Sequence, residues 1–452
     1  MSGSLVSKEA VIKTTDFLDS STTLTVNKKY NVRGAQLQLT LPVTANEGDA
    51  MELFAENACQ ILQGDAENVM GFINKWFTTK GTAGYLMLPS KSSARLVYKG
   101  VSGSIVLPGT KLSDPGTPPP SIGFSCVFSN DMVYLVICHN NTPCFSIYKR
   151  SGDTFTKLSN PLTLPTGICE GCSFSPDGTY LAVTSDATPY ILIYKRSGDT
   201  FTKLADPGTL PAGQGYECSF SPDGTYLAVA HATTPFITIY KRSGDTFTKL
   251  ANPGTLPDGD GKGCSFSYDM NYLAVSVGTT PYINIYKRNG DVFTKLTSPT
   301  ALAGIANKCS FSYDGTYLAV AHTTTPFISI LKRSGDTFTK LADPGTLPAG
   351  TGGGCSFSYD GTYLAVAHTT TPFVTIYKRS GDTFTKLANP GTLPTGQGWN
   401  CTFSNDMVYL VVANGGSSPF VTIYKNLVAA NKTWLLERFQ TLYDQDKDYL
   451  FY

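Results

Sequence analysis

The chain has 452 residues, 41% of them hydrophobic and 12% aromatic, with 43 Gly and 27 Pro; this is apolar material for two or three packed domains, and its turn-residue density favours β structure. A formal net charge of +1 leaves no electrostatic footprint for nucleic acid or an anionic membrane surface. No run approaches the ~20 apolar residues of a membrane span, and the opening MSGSLVSKEAVIKTTDFLDSS lacks an apolar core of signal-peptide length, so the expectation is a chain folded in a cytoplasm, with no nucleic-acid partner and no membrane insertion.

Residues 1–30 read as a polar N-terminal segment and residues 31–104 as a small β-rich module. AQLQLTLPV alternates apolar and polar residues, GDAMELFA follows a turn, and SARLVYKG closes the module. One segment dissents: Val69, Phe72, Ile73 and Trp76 lie at helical spacing in ENVMGFINKWF, which favours a short helix. The order LTLP, GDAMEL, CQILQGDAEN, TTKGTAGYLMLPSKSSARLVYKG resembles a β module of fibre, spike and decoration proteins of tailed bacteriophages, although NVMGFINKWF fits that pattern poorly. Such modules commonly trimerise. The resemblance therefore implies a homotrimer attached to other virion proteins through its N-terminal region, with residues 1–30 as an anchor.

Residues 105–425 repeat. Cys126, Cys172, Cys218, Cys264, Cys309, Cys355 and Cys401 are separated by 46, 46, 46, 45, 46 and 46 residues, and four short strands recurring at such a period are the signature of a propeller blade. In one unit, CSFS and TYLAVAH are strands a and b, joined by Pro222, Asp223 and Gly224; FITIYKR is c and TFTKLA is d, joined by Ser243, Gly244 and Asp245. The wording FSPDGTYLAV resembles the WD-repeat-like propellers, with Tyr-Lys-Arg standing where their Trp-Asp would end strand c. The expected fold is all-β, a small β-sandwich-like module followed by a seven-bladed β-propeller. A fold of this kind leaves function open. TKLSDPGTPPP at 110–120 matches TKLADPGTLPA at 202–212, so a d-like strand precedes the first a strand and is expected to complete blade 7 and close the ring. KTWLLERF at 432–439 is the other candidate.

Strand alternation puts the a–b and c–d turns on one face and the b–c and d–a loops on the other. The first face hardly varies among the seven copies, and each Lys-Arg pair is followed by an Asp that offsets its charge. The second varies where the d–a loop meets strand a. Two residues before each repeat cysteine stand Phe124, Glu170, Tyr216, Lys262, Asn307, Gly353 and Trp399; one residue before stand Ser125, Gly171, Glu217, Gly263, Lys308, Gly354 and Asn400. Drift at tolerant loop positions is one explanation; a contact surface is the other, favoured by the aromatic residues Phe124, Tyr216 and Trp399, which are typical binding anchors. Ring closure makes Trp399 and Phe124 neighbours. The candidate binding residues are thus Phe124, Glu170, Tyr216, Glu217, Lys262, Asn307, Lys308, Trp399 and Asn400.

All four histidines, His139, His231, His322 and His368, occupy one equivalent position ending strand b. Equivalent positions diverge around a ring, so loop hydrogen bonding is expected rather than metal, which needs its ligands about 2.0 to 2.3 Å from one point. The repeat cysteines are expected to act as small buried hydrophobes. Cys169 and Cys172 make a C-x-x-C without a redox role, and Cys138 and Cys144 flank the blade 1 b–c loop as a candidate pair that cytoplasmic folding disfavours.

Residues 426–452 form a C-terminal tail on the attachment side, with Leu435, Leu436, Phe439 and Leu442 at helical spacing. The leading functional expectation is a structural virion protein of a tailed bacteriophage, assembled in the host cytoplasm: a fibre or receptor-binding adhesin whose variable face contacts a host surface glycan or protein. A capsid head fibre or decoration protein is the alternative within that class. A polysaccharide-cleaving enzyme would need two carboxylates about 5 to 10 Å apart, with Glu170, Glu217, Asp258 and Asp260 as candidates; a cellular protein-binding scaffold is the third class. No catalysis, no cofactor and no metal are expected.

Overall fold

The computed structural model describes residues 109–425 in full and, on either side, the backbone of the strands named below. It divides into two compact units, residues 1–106 with 428–452, and residues 107–427.

The first unit holds a seven-stranded sheet in the order Thr15–Leu18, Lys28–Val32, Ala50–Ala55, Ser92–Val101, Lys432–Thr441, Asn68–Phe72, Lys75–Trp76, and a four-stranded sheet of Thr22–Thr23, Gln38–Thr40, Cys59–Leu62 and Tyr85–Leu88. Two expectations are corrected here. The described residues of ENVMGFINKWF are strand rather than helix, Asn68–Phe72 and Lys75–Trp76, paired Gly71 to Trp76, and Ile73 lies outside the described residues. The tail likewise holds the strand Lys432–Thr441, antiparallel to Ser92–Val101 on one edge and parallel to Asn68–Phe72 on the other. Short apolar runs satisfy helical and strand periods alike, and backbone pairing on both edges decides for the strand. Among the described residues the first strand is Thr15–Leu18, inside the segment read as a polar anchor, and Leu442 lies outside the described residues.

In the second unit each repeat is one antiparallel sheet. In blade 3 the strands are a Gly215–Phe220, b Tyr226–His231, c Ile237–Ser243 and d Thr246–Lys249, paired in that order. Neighbouring blades cover both faces of strand b, so YLAVAH is buried at every residue and shows no alternation. The outermost strand, TFTK, buries only Phe247. Six repeats form complete sheets; the seventh consists of Gly398–Phe403, Tyr409–Asn414, Val421–Val428 and, in the d place, Ile105–Lys111. The strand that precedes blade 1 therefore closes the ring, and Leu112 N–H donates to Ile423 O at 2.8 Å.

Blades adhere through apolar clusters such as Tyr180, Ile191 and Ile193 against Cys218, Phe220, Leu227 and Phe247. The repeat cysteines are buried and also donate across blades: the Cys218 thiol to Ala182 O at 3.7 Å, Cys264 to Ala228 O at 3.7 Å, Cys355 to Ala319 O at 3.6 Å. At the c–d turns, the Tyr134 hydroxyl donates to Asp199 Oδ1 of the next blade at 2.5 Å, and Lys149 meets Asp199 Oδ2 at 2.8 Å. The same clamp joins Tyr226 and Lys241 to Asp291, and, across the seam, Tyr409 and Lys425 to Asp153. Charge compensation therefore runs between blades rather than within each turn.

Strand c contributes a second repeated tie. The Tyr240 hydroxyl donates to Thr209 O at 2.8 Å and pins the incoming d–a loop, as Tyr148, Tyr194, Tyr286, Tyr377 and Tyr424 do in their blades. Blade 5 carries Leu331 instead, and it is the blade whose incoming loop makes the single 45-residue spacing. There Leu331 and the loop's Leu302 share one apolar cluster, so an apolar contact replaces the hydrogen bond.

Candidate ligand-binding site

Strand a begins at a glycine in five blades, Gly123, Gly215, Gly261, Gly352 and Gly398, and at Cys169 in blade 2 and Ala306 in blade 5. Gly215 lies so close to the preceding blade that a Cβ on it would come 2.5 Å from Tyr190 O, and a Cβ on Gly261 2.3 Å from Phe236 O. Just after this tight contact the a–b register slips, between Gly215 and Glu217 in blade 3 and at the matching place in the other six. The residue two before each repeat cysteine is therefore a β-bulge residue. A bulge frees one side chain from the sheet's alternation and re-aims it. Here seven bulges point one ring of residues at the axis.

They meet. Phe124, Glu170, Tyr216, Lys262, Asn307, Gly353 and Trp399, joined by Lys308, line one cavity of about 270 Å³. Phe124 and Trp399 pack edge to face, with centroids 5.9 Å apart at 72°, as ring closure requires. Lys262 Nζ sits 4.1 Å from the Tyr216 ring centroid and 2.7 Å from Asp260 Oδ2. Glu170 accepts from Gln214 Nε2 at 2.7 Å, and burial pushes its carboxyl above the usual range. Asn307 Nδ2 donates to Gly352 O at 2.7 Å. Trp399 Nε1–H is buried and has no hydrogen-bond partner among the described residues.

The ring one residue closer to the cysteines is different, and here the sequence expectation needs correction. Glu217 and Asn400 do not face solvent; each is 8% exposed. Glu217 Oε2 lies 2.5 Å from Lys308 Nζ, and Asn400 Nδ2 donates to Ser125 Oγ at 2.9 Å. Glycines alternate with these side chains to make room for them: a Cβ on Gly171 would come 2.6 Å from Glu217 Oε1, one on Gly263 3.1 Å from Lys308 Cα, and one on Gly354 2.4 Å from Asn400 Oδ1. Variation at this ring is packing that floors the cavity. Burial opposes the charge on Lys308, but the Glu217 carboxylate outweighs it and holds the ammonium above its usual range. Lys308 alone serves both layers.

The remaining acids have their own cations. Asp258 accepts from Lys295 Nζ and Asn284 Nδ2, each at 2.7 Å, and Asp260 holds Lys262, so neither shares a cleft with Glu170 as a free carboxylate. The four histidines are buried beside strand c: His139 Nε2 lies 3.1 Å from Ser146 Oγ, His231 2.9 Å from Thr238 Oγ1, His322 3.0 Å from Ser329 Oγ and His368 2.9 Å from Thr375 Oγ1. Burial pushes His139, His231 and His368 down to about 4 and lowers His322.

At the other end of the a strands lies a cluster absent from the sequence expectations. Tyr268 and Tyr313 have centroids 3.6 Å apart, Tyr313 and Tyr359 4.1 Å, and the Tyr359 hydroxyl donates to that of Tyr313 at 2.9 Å. Asn405 Nδ2 donates to Asn130 Oδ1 at 3.0 Å, and Asn130 Nδ2 to Pro176 O at 2.8 Å. The signal was the position four after each repeat cysteine, which reads Asn130, Pro176, Pro222, Tyr268, Tyr313, Tyr359, Asn405 and is less uniform than its turn.

Seven four-stranded blades closed around an axial cavity define a β-propeller protein. Solved structures agree on the fold. The chain superposes on the β-propeller domain of Cps50 (Swd1) from Myceliophteria thermophila with a TM-score of 0.52 at 12% identity, covering 69% of this chain and 99% of that one. For hydrazine synthase from Kuenenia stuttgartiensis the values are 0.54 and 15%, over 72% and 100%; for U3-55K they are 0.53 and 10%, over 69% and 100%. Identities this low speak for the fold alone. No protein-family model matches the chain, and no curated protein matches it.

Proposed function

We propose that the chain is a recognition protein that holds a small polar ligand with one apolar face, such as a sugar residue of a surface glycan, in the axial cavity. The carrying observation is that seven near-copies diverge at the bulge residue and that all seven bulges converge on one cavity. Its two sides suit such a ligand: Phe124 and Trp399 offer flat apolar area, while Glu170, Lys262 and Asn307 offer donors and acceptors. The role is binding without bond cleavage.

The setting we propose is a virion. The order of LTLP, GDAMEL, CQILQGDAEN and SARLVYKG supports a phage-type attachment module, and with it a homotrimeric fibre or receptor-binding adhesin of a tailed bacteriophage, a head decoration protein being the other member of that class. Two measurements on the full chain test the reading: light-scattering mass, expected at three chains, and a bacterial surface-glycan array beside Trp399→Ala, expected to show binding that the variant loses. A monomer sinks the fibre; no glycan bound by either form sinks the ligand class. A protein-binding scaffold is the second reading, favoured by the tyrosine cluster at the opposite end of the a strands. It predicts partner capture that Tyr313→Ala abolishes and Trp399→Ala leaves intact.

A further inference from the structure

The interface between blades 1 and 2 departs from the others in its sulfur content. Of the chain's 11 cysteines, seven mark the repeat and Cys59 lies in the first unit. The other three, Cys138, Cys144 and Cys169, all sit at this interface in one cluster with Cys172.

Two of them are matched departures from the repeat. Cys144 occupies the b–c position held elsewhere by Tyr190, Phe236, Tyr282, Phe327, Phe373 and Phe420, and shares their left-handed backbone at φ 71°. Cys169 occupies the position of Gly215, Gly261, Gly352 and Gly398. These two positions face each other between successive blades, as the close approach of Gly398 to Phe373 O shows. One side has lost an aromatic ring, the other has gained a side chain, and the replacement on both sides is sulfur. Both side chains lie in this one buried cluster, where the Cys144 thiol donates to Pro165 O at 3.9 Å. Cys138 and Cys172 lie in the same cluster.

We propose that Cys144 and Cys169 form a reversible disulfide that staples blade 1 to blade 2. With a peroxide as oxidant, the Cys144 thiolate attacks one peroxide oxygen and breaks the O–O bond, leaving a sulfenic acid and a hydroxide that takes up a proton. The Cys169 thiolate then attacks the Cys144 sulfur; the S–S bond forms, the S–O bond breaks, and the oxygen leaves as water. Two thiols lose two electrons and one peroxide becomes two waters. A small thiol reverses the step by exchange. The order of attack follows from the surroundings: the neighbouring Cys169 holds the Cys144 thiol below its usual range, whereas burial and then Cys144 raise Cys169 well above its own. Cys169 directly precedes Glu170, so the staple tethers one wall of the axial cavity. The inference stands whether or not that cavity binds a glycan.

Peptide mapping decides it. The full chain is treated with hydrogen peroxide, free thiols are trapped with N-ethylmaleimide, and the digest is read by mass spectrometry. A Cys144–Cys169 cross-linked peptide is expected, with two fewer free thiols, full reversal by dithiothreitol, and a melting temperature higher by a few degrees in the oxidised form. Cys144→Ser and Cys169→Ser each lose the cross-link, while Cys138→Ser keeps it. A Cys138–Cys172 cross-link in its place, oxidation of Cys144 without any cross-link, or unchanged thiols would overturn the proposal, and the unsubstituted chain alone separates these outcomes.

Discussion

Lys308 Nζ lies 2.5 Å from Glu217 Oε2 and joins blade 5 to blade 3 past Gly263 of blade 4. The pair floors the cavity, and its two members are 91 residues apart in the chain, as their numbers show. Removing one partner strands the other charge, so Lys308→Met and Glu217→Gln are each expected to cost about 3 kcal/mol. The double variant recovers most of that loss. Chemical denaturation of all four forms checks the cycle, and additive losses would show that the pair is not coupled.

Trp399 stands in the cavity wall with its N–H unpartnered, braced by Phe124. Trp399→Ala is expected to weaken ligand binding at least ten-fold, on the order of 2 kcal/mol, as loss of a central aromatic anchor does. Phe124→Leu, which leaves the indole but removes its edge-to-face brace, is expected to cost less. Titration calorimetry with a glycan found by array compares the two.

Stability should fall on acidification through the histidines. His139, His231 and His368 have folded pKa values of about 4 against an ordinary 6.5. Between those values the unfolded chain binds protons that the folded chain does not, so the stabilisation is complete above pH 6.5 and is lost as pH falls towards 4. Each histidine contributes on the order of 1 to 3 kcal/mol. Melting curves from pH 7.5 to 4.5 read the slope, and His231→Gln is expected to flatten it.

The tyrosine tie of strand c makes an asymmetric prediction. Tyr240→Phe removes the bond to Thr209 O and is expected to cost about 1 kcal/mol. Leu331→Tyr, which restores the repeat's wording, is expected to bring no gain, because Leu331 packs with Leu302 of the shortened loop and a hydroxyl there enters an apolar contact. Thermal melts of both variants check this, and a stabilised Leu331→Tyr would refute the account of the short loop.

Much of the propeller was legible because its determinants are local. Strand pairing within a blade needs only neighbouring residues and turn chemistry, so the cysteine period, the a–d strands and the blade-closing match of TKLSDPGT to TKLADPGT could be read directly. Even the meeting of Phe124 with Trp399 followed from counting blades and closing a circle. In the first unit this advantage fails: without a repeat, ENVMGFINKWF and KTWLLERFQT carry apolar spacing that fits helix and strand alike, and the sheet partners on both edges decided for strand.

Within the site, the sequence by itself determined which positions vary and that they form a ring. Only the tertiary structure decided which of two adjacent variable residues faces the cavity. The bulge after Gly215 turns Tyr216 to the axis and Glu217 into the floor, and that choice depends on how closely strand a approaches Tyr190 O of the blade before. The same holds for Lys308 against Glu217 and for Cys144 against Cys169. Contacts between blades join residues that no hydrogen-bond ladder connects, so their partners are set by how complete sheets pack around the axis, a property no single repeat contains.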